Sequence, residues 1–146
     1  MYHLLALMAL AAGLGLTVQV GMNAALRQVF GSPVLASLAN FLVGTAALVV
    51  FVMLERAPLP GRGAAGSVPL WAWFGGLFGA FYVVAATVVG PRLGASMLLA
   101  LTVPGQLLAA LAVDHFGWLG FPQQPLSVAR LAGAALLLAG VLLISR

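Results

Sequence analysis

Five uninterrupted apolar stretches, over 4–26, 34–54, 70–89, 95–113 and 126–144, leave this chain one class of fold. Each is about long enough to cross a hydrocarbon core near 30 Å as a helix. None alternates with the period of two that a transmembrane barrel requires. In hydrocarbon, a helix pairs its backbone groups within one segment. The expectation is an all-α membrane protein of five transmembrane helices, forming a single domain over residues 1–146. With 64% hydrophobic and 5% charged residues, the chain also falls outside the composition of soluble domains. Its amino end lacks the basic region of a signal peptide and carries too long an apolar run, so it reads as a retained first helix.

The connections carry the turn chemistry. Residues 27–33 (RQVFGSP) place Gly31 and Ser32 at a helix stop and Pro33 in the first turn of the next helix. The segment 55–69 gathers Pro58, Pro60, Gly61, Gly63, Gly66 and Pro69, and reads as a linker between a first helix pair and the other three. GPRLG at 90–94 predicts a tight turn. Between 115 and 125, Phe116, Trp118, Phe121 and two prolines predict a structured loop with aromatics at headgroup depth.

An odd number of spans puts the two termini on opposite sides. Arg56, Arg62 and Arg130 then share the side of the amino terminus, and Arg27, Arg92 and Arg146 the other. This parity gives the positive-inside rule nothing to act on. A protein inserted both ways, so that two copies pack as an inverted pair, has this property. So does a small chain whose few charges balance by chance.

Polar groups inside the spans are the functional candidates, because an amide in hydrocarbon must find a partner. Gly15, Gln19 and Asn23 follow at spacings of four on one face of the first helix. Asn40 and Gly44 share a face of the second. These amides either hydrogen-bond a polar solute in a central cavity or tie helices together. Tyr82, deeper in the third span than the interfacial Trp71 and Trp73, is a further cavity candidate, while Gly75 and Gly79 form a groove for close helix packing.

In the fourth span Pro104 and Gly105 form a hinge: the proline withdraws an amide from the carbonyl near Ala100, and the glycine removes bulk at the same level. Thr102 and Gln106, four apart, place a hydroxyl and an amide around it. Asp114 and His115 close that span, at the mouth of a path or as the pair that orders the following loop. No carboxylate lies in the interior of a span, which argues against simple proton-coupled export. In the fifth span Gly133 and Gly140 offer a small-residue face, and Arg130 reaches toward headgroups in a structural role.

No nucleophile, base and acid come together, nor any cluster of metal ligands or phosphate-binding loop, and there is no cysteine. Catalysis, a metal and a cofactor are not expected. The six arginines form no basic stripe, so nucleic acid is not an expected partner.

QVGMNAALRQVFGSPVLASLANFLVGT at 19–45, GPRLGAS at 90–96 and PGQLLAALAVDHFGWLG at 104–120 resemble the small five-helix bacterial inner-membrane proteins of the YdcZ type, in the drug/metabolite transporter superfamily. The resemblance spans essentially the whole chain, and its most specific element is Gly105, Gln106, Asp114, His115, Phe116, Gly117 and Gly120. It implies a half-size transporter of the bacterial inner membrane. Ten-helix members look like a duplicated, inverted five-helix unit, and five-helix members are expected to pair as antiparallel homodimers or with a sister subunit. The four-helix multidrug members use a glutamate in the first helix. Gln19 and Asn23 stand in that region here, which argues against polyaromatic-cation export by that mechanism.

The functional expectation is a carrier of a small organic metabolite or drug-like solute, working by alternating access as an antiparallel dimer. Gln19, Asn23, Asn40, Gln106, Thr102 and Tyr82 would bind the solute, and Pro104 and Gly105 would let the fourth helix bend. Such a site suits neutral or zwitterionic solutes. A non-transporting accessory membrane protein and a small-solute channel are the alternatives.

Overall fold

Serine caps and left-handed residues mark several of the helix ends. A computed structural model describes residues 2–61 and 63–145. Arg62 and Arg146, two of the six arginines in the orientation count, lie outside the described residues.

Helix α1, Tyr2–Phe30, ends at Gly31, whose φ of +69° is left-handed and whose N–H donates to the Arg27 carbonyl at 2.9 Å. Ser32 then caps α2, Pro33–Glu55, its hydroxyl accepting from the Leu35 amide at 3.3 Å, with Pro33 in the first turn. This is the local structure expected of RQVFGSP. Arg56 closes α2 at φ 50° and ψ 38°, and its N–H and that of Ala57 reach the Met53 and Val52 carbonyls.

After a short turn of 3-10 helix, Ala64–Ser67, the chain enters α3, Leu70–Trp73, and α4, Gly75–Leu93. Phe74 between them keeps helical angles, so 70–93 is one apolar rod with a local irregularity. The expected turn over 90–94 shrinks to one residue. Helix α4 takes in Pro91 and runs to Leu93, and Gly94 at φ +83° alone separates it from α5, Ala95–Phe116. A proline in a last turn removes one helical bond without preventing the turn.

Helix α5 is continuous past Pro104 and ends at Gly117, φ +65°. A second 3-10 turn, Trp118–Gly120, leads to α6, Val128–Ile144, capped by Ser127 accepting from the Arg130 amide at 3.3 Å. Four helices are long and apolar enough to cross a membrane, over His3–Phe30, Pro33–Glu55, Leu70–Leu93 and Ala95–Phe116. The fifth, α6, has 17 residues, at the lower limit for a span. It starts later than its apolar run because residues 121–127 are folded back as a loop. Among the described residues there is no strand.

The chain forms two compact units, Met1–Pro91 and Arg92–Arg146. In the first, burial gathers at one end: Val20 and Asn23 late in α1, Ala36 and Ser37 early in α2, and Val83, Ala86, Thr87 and Gly90 late in α4. The opposite ends, residues 3–16, 41–55 and 70–78, are exposed throughout. In the second unit α5 and α6 form a hairpin with Leu111 and Ala134 buried.

Candidate functional site

Gln19 and Asn40 line one groove in the first unit, of about 500 Å³, with Phe41, Val43, Gly44, Thr45, Ala47 and Leu48 completing it. Both amides are half-buried, and neither hydrogen-bonds another described residue. The i, i+4 spacing that aligns Asn40 with Gly44 explains why the wall beside the Asn40 amide is open: nothing lies within 4 Å of a Cβ built at Gly44. Apart from the two amides and the Thr45 hydroxyl the lining is apolar, and no ionisable side chain enters it.

Asn23, one turn beyond Gln19, is 2% exposed, and its Oδ1 has no hydrogen-bond partner. A buried amide oxygen without a donor is unusual and costly. The other buried polar residues spend their hydroxyls on their own helices: Ser37 donates to the Pro33 carbonyl at 2.8 Å and the fully buried Thr87 to the Val83 carbonyl at 2.7 Å. Arg27, half-buried, donates from Nη1 to the Thr87 carbonyl at 3.1 Å. By sequence alone Arg27 falls in the first connection, as a loop charge. The signal that places it is Pro91, which cannot supply the amide that the Thr87 carbonyl would otherwise accept.

Tyr82 is half-buried and Gly79 faces α2, where a Cβ would sit 3.9 Å from the Phe41 ring. Gly75 has open space around it, so of the two expected packing glycines one meets a neighbouring helix.

In the second unit the hinge pair lies within a regular helix: Pro104 is buried, Gly105 exposed. Thr102 is half-buried, with its hydroxyl 3.5 Å from the Leu99 carbonyl, and Gln106 is exposed. Asp114 and His115 order the loop after α5. Asp114 accepts from Arg130 Nη1 at 3.3 Å, and its carbonyl accepts the Gln124 amide at 2.7 Å. The His115 carbonyl accepts Gln123 Nε2 at 3.1 Å, and its Nδ1 accepts the Leu126 amide at 3.3 Å. Arg130 completes the clasp on the Gln124 carbonyl and side-chain Oε1. Phe116 and Trp118 stack beside it with ring centroids 4.7 Å apart, both exposed.

Residues 4–143 match the family described as "Putative inner membrane exporter, YdcZ". The "Inner membrane protein YdcZ" of Escherichia coli (strain K12) is 33% identical over 138 residues, covering 94% of this chain and 91% of that protein. No solved structure matches.

Proposed function

The chain belongs to the YdcZ family, and from that premise we propose that it is an inner-membrane carrier that moves a small organic solute. The observation that carries the reading is the groove holding Gln19 and Asn40. Two amides without internal partners can donate to and accept from a solute, and the apolar wall takes its hydrocarbon or aromatic part. With no charge in the groove, the solutes it suits are neutral or zwitterionic ones bearing hydrogen-bonding groups.

The carrier works by alternating access in a pair of five-helix subunits, as an antiparallel homodimer or with a sister chain. Three features support pairing. The apolar stretches of the sequence number five, the arginines divide evenly, and Gln106 is exposed at mid-helix, where hydrocarbon offers its amide no partner. In this reading Gln106 and Thr102 add polar contacts, Asn23 and Tyr82 back the path, and Pro104 with Gly105 lets α5 flex. Asp114 and His115 hold the loop at its edge.

A thermal-shift screen of neutral and zwitterionic metabolites on the purified protein, followed by flux into proteoliposomes, tests this. Gln19→Leu and Gln106→Leu should abolish flux of the hits while assembly is retained. Unchanged flux in both variants would overturn the assignment, and a protein that binds and moves no solute would favour the accessory role.

A further inference from the structure

Pro91 lies one turn beyond Thr87 on α4 and has no amide hydrogen, so the Thr87 carbonyl loses the donor a regular helix would provide. Arg27 of α1 supplies one from another helix. The Thr87 hydroxyl cannot do so, because it is engaged with the Val83 carbonyl. Arg27 is not held there by an acid. The chain has two, Glu55 and Asp114, and the ion pair among the described residues joins Asp114 to Arg130. What turns the Arg27 guanidinium inward is therefore the carbonyl that the proline leaves open.

We infer that Arg27 is a latch created by Pro91: it ties α1 to α4 over the buried Asn23 and Thr87, and its release uncovers that interior to water. The geometry gives the latch a second position. Asn23 is four residues before Arg27 on the same helix face, within reach of its guanidinium, and its Oδ1 is the buried acceptor lacking a donor in the closed arrangement. On release the guanidinium exchanges the Thr87 carbonyl for the Asn23 oxygen, while entering water hydrates the carbonyl. Two alternative acceptors for one donor make two discrete arrangements.

The latch goes beyond the carrier reading, and its test needs no solute. The chain has no cysteine, so Thr87→Cys introduces one buried thiol while keeping the backbone carbonyl that Arg27 binds. In the purified full chain, a membrane-impermeant maleimide should label this thiol slowly. Arg27→Ala should accelerate labelling about tenfold or more, because a buried carbonyl deprived of its donor favours the open, hydrated state. Pro91→Ala returns an amide hydrogen to the helix, so in that background Arg27→Ala should change the rate less than about twofold. Arg27→Lys, which keeps a shorter donor, should fall between and serves in both backgrounds should Arg27→Ala not fold. No acceleration on removing the guanidinium, or equal acceleration with and without Pro91, would overturn the latch.

Discussion

Arg130 of α6 reaches back across the connecting loop to Asp114 of α5 at 3.3 Å, and the same guanidinium holds Gln124 by its carbonyl and its side chain. The DHFG segment is therefore a clasp: its acid and its imidazole fix the eleven residues between α5 and α6, 117–127. The exposed Phe116–Trp118 stack is presented by that clasp at the end of α5, where the amphipathic indole of Trp118 suits the headgroup layer.

Asp114→Asn and Arg130→Ala should differ in severity. The ion pair is about a third exposed on both sides, so losing its charge costs about 1 kcal/mol or less. Arg130→Ala removes the Gln124 contacts as well and should cost about 1–2 kcal/mol. Thermal unfolding in detergent measures the difference, and limited proteolysis should cut within 117–127 faster in the arginine variant.

His115 acts through an acceptor. Its Nδ1 takes the Leu126 amide at 3.3 Å, the one contact that ties this amide back to α5 by a side chain. His115→Asn, whose side-chain oxygen can take the place of Nδ1, should keep the Leu126 amide protected in hydrogen exchange. His115→Ala, which leaves no acceptor, should speed its exchange several-fold.

The helices were legible because hydrocarbon permits few alternatives to them, and the first connection because glycine, serine and proline each do one thing there. Gln19 and Asn40 stand out in the sequence as amides within apolar spans, and both line one groove. Less legible were the effects of proline. Pro91 sits inside α4 and Pro104 inside a continuous α5, because a helix flanked by packing tolerates one missing bond. The direction of Arg27 was hidden for the same reason. A sequence shows a long cation at a helix end, and headgroups are its usual target. The carbonyl that draws it inward belongs to a residue 60 positions later. Asp114 and Arg130 each looked plausible as edge charges, but a spacing of 16 residues through a loop carries no helical register from which to pair them.

Gly44 separates solute binding from folding. A side chain at this position meets open space, so Gly44→Leu should leave the fold intact, and the gain in helix propensity of about 0.5–1 kcal/mol should raise the unfolding temperature slightly. The added isobutyl group would occupy the groove beside the Asn40 amide. Solute-induced thermal shifts and vesicle flux should both disappear in a protein at least as stable as its parent. Retained binding would move the solute site away from this groove.

Arg56 holds a position that favours glycine. Its φ of 50° closes α2 in the left-handed region, where a side chain costs about 1 kcal/mol. Arg56→Gly should therefore stabilise the helix end by about 0.5–1 kcal/mol in detergent melts. The strain is explained if the charge itself is needed, and one role for it is in the even division of arginines between the two sides. Removing it leaves Arg62 and Arg130 against Arg27, Arg92 and Arg146. Reporter fusions at the two ends should then shift toward the topology that keeps Arg27 and Arg92 in the cytoplasm, whereas Arg56→Lys should restore the parental distribution at the original stability. A stabilised variant with an unchanged topology would show that Arg56 contributes no orientation signal, and the antiparallel pairing would have to rest on the packing of the helices alone.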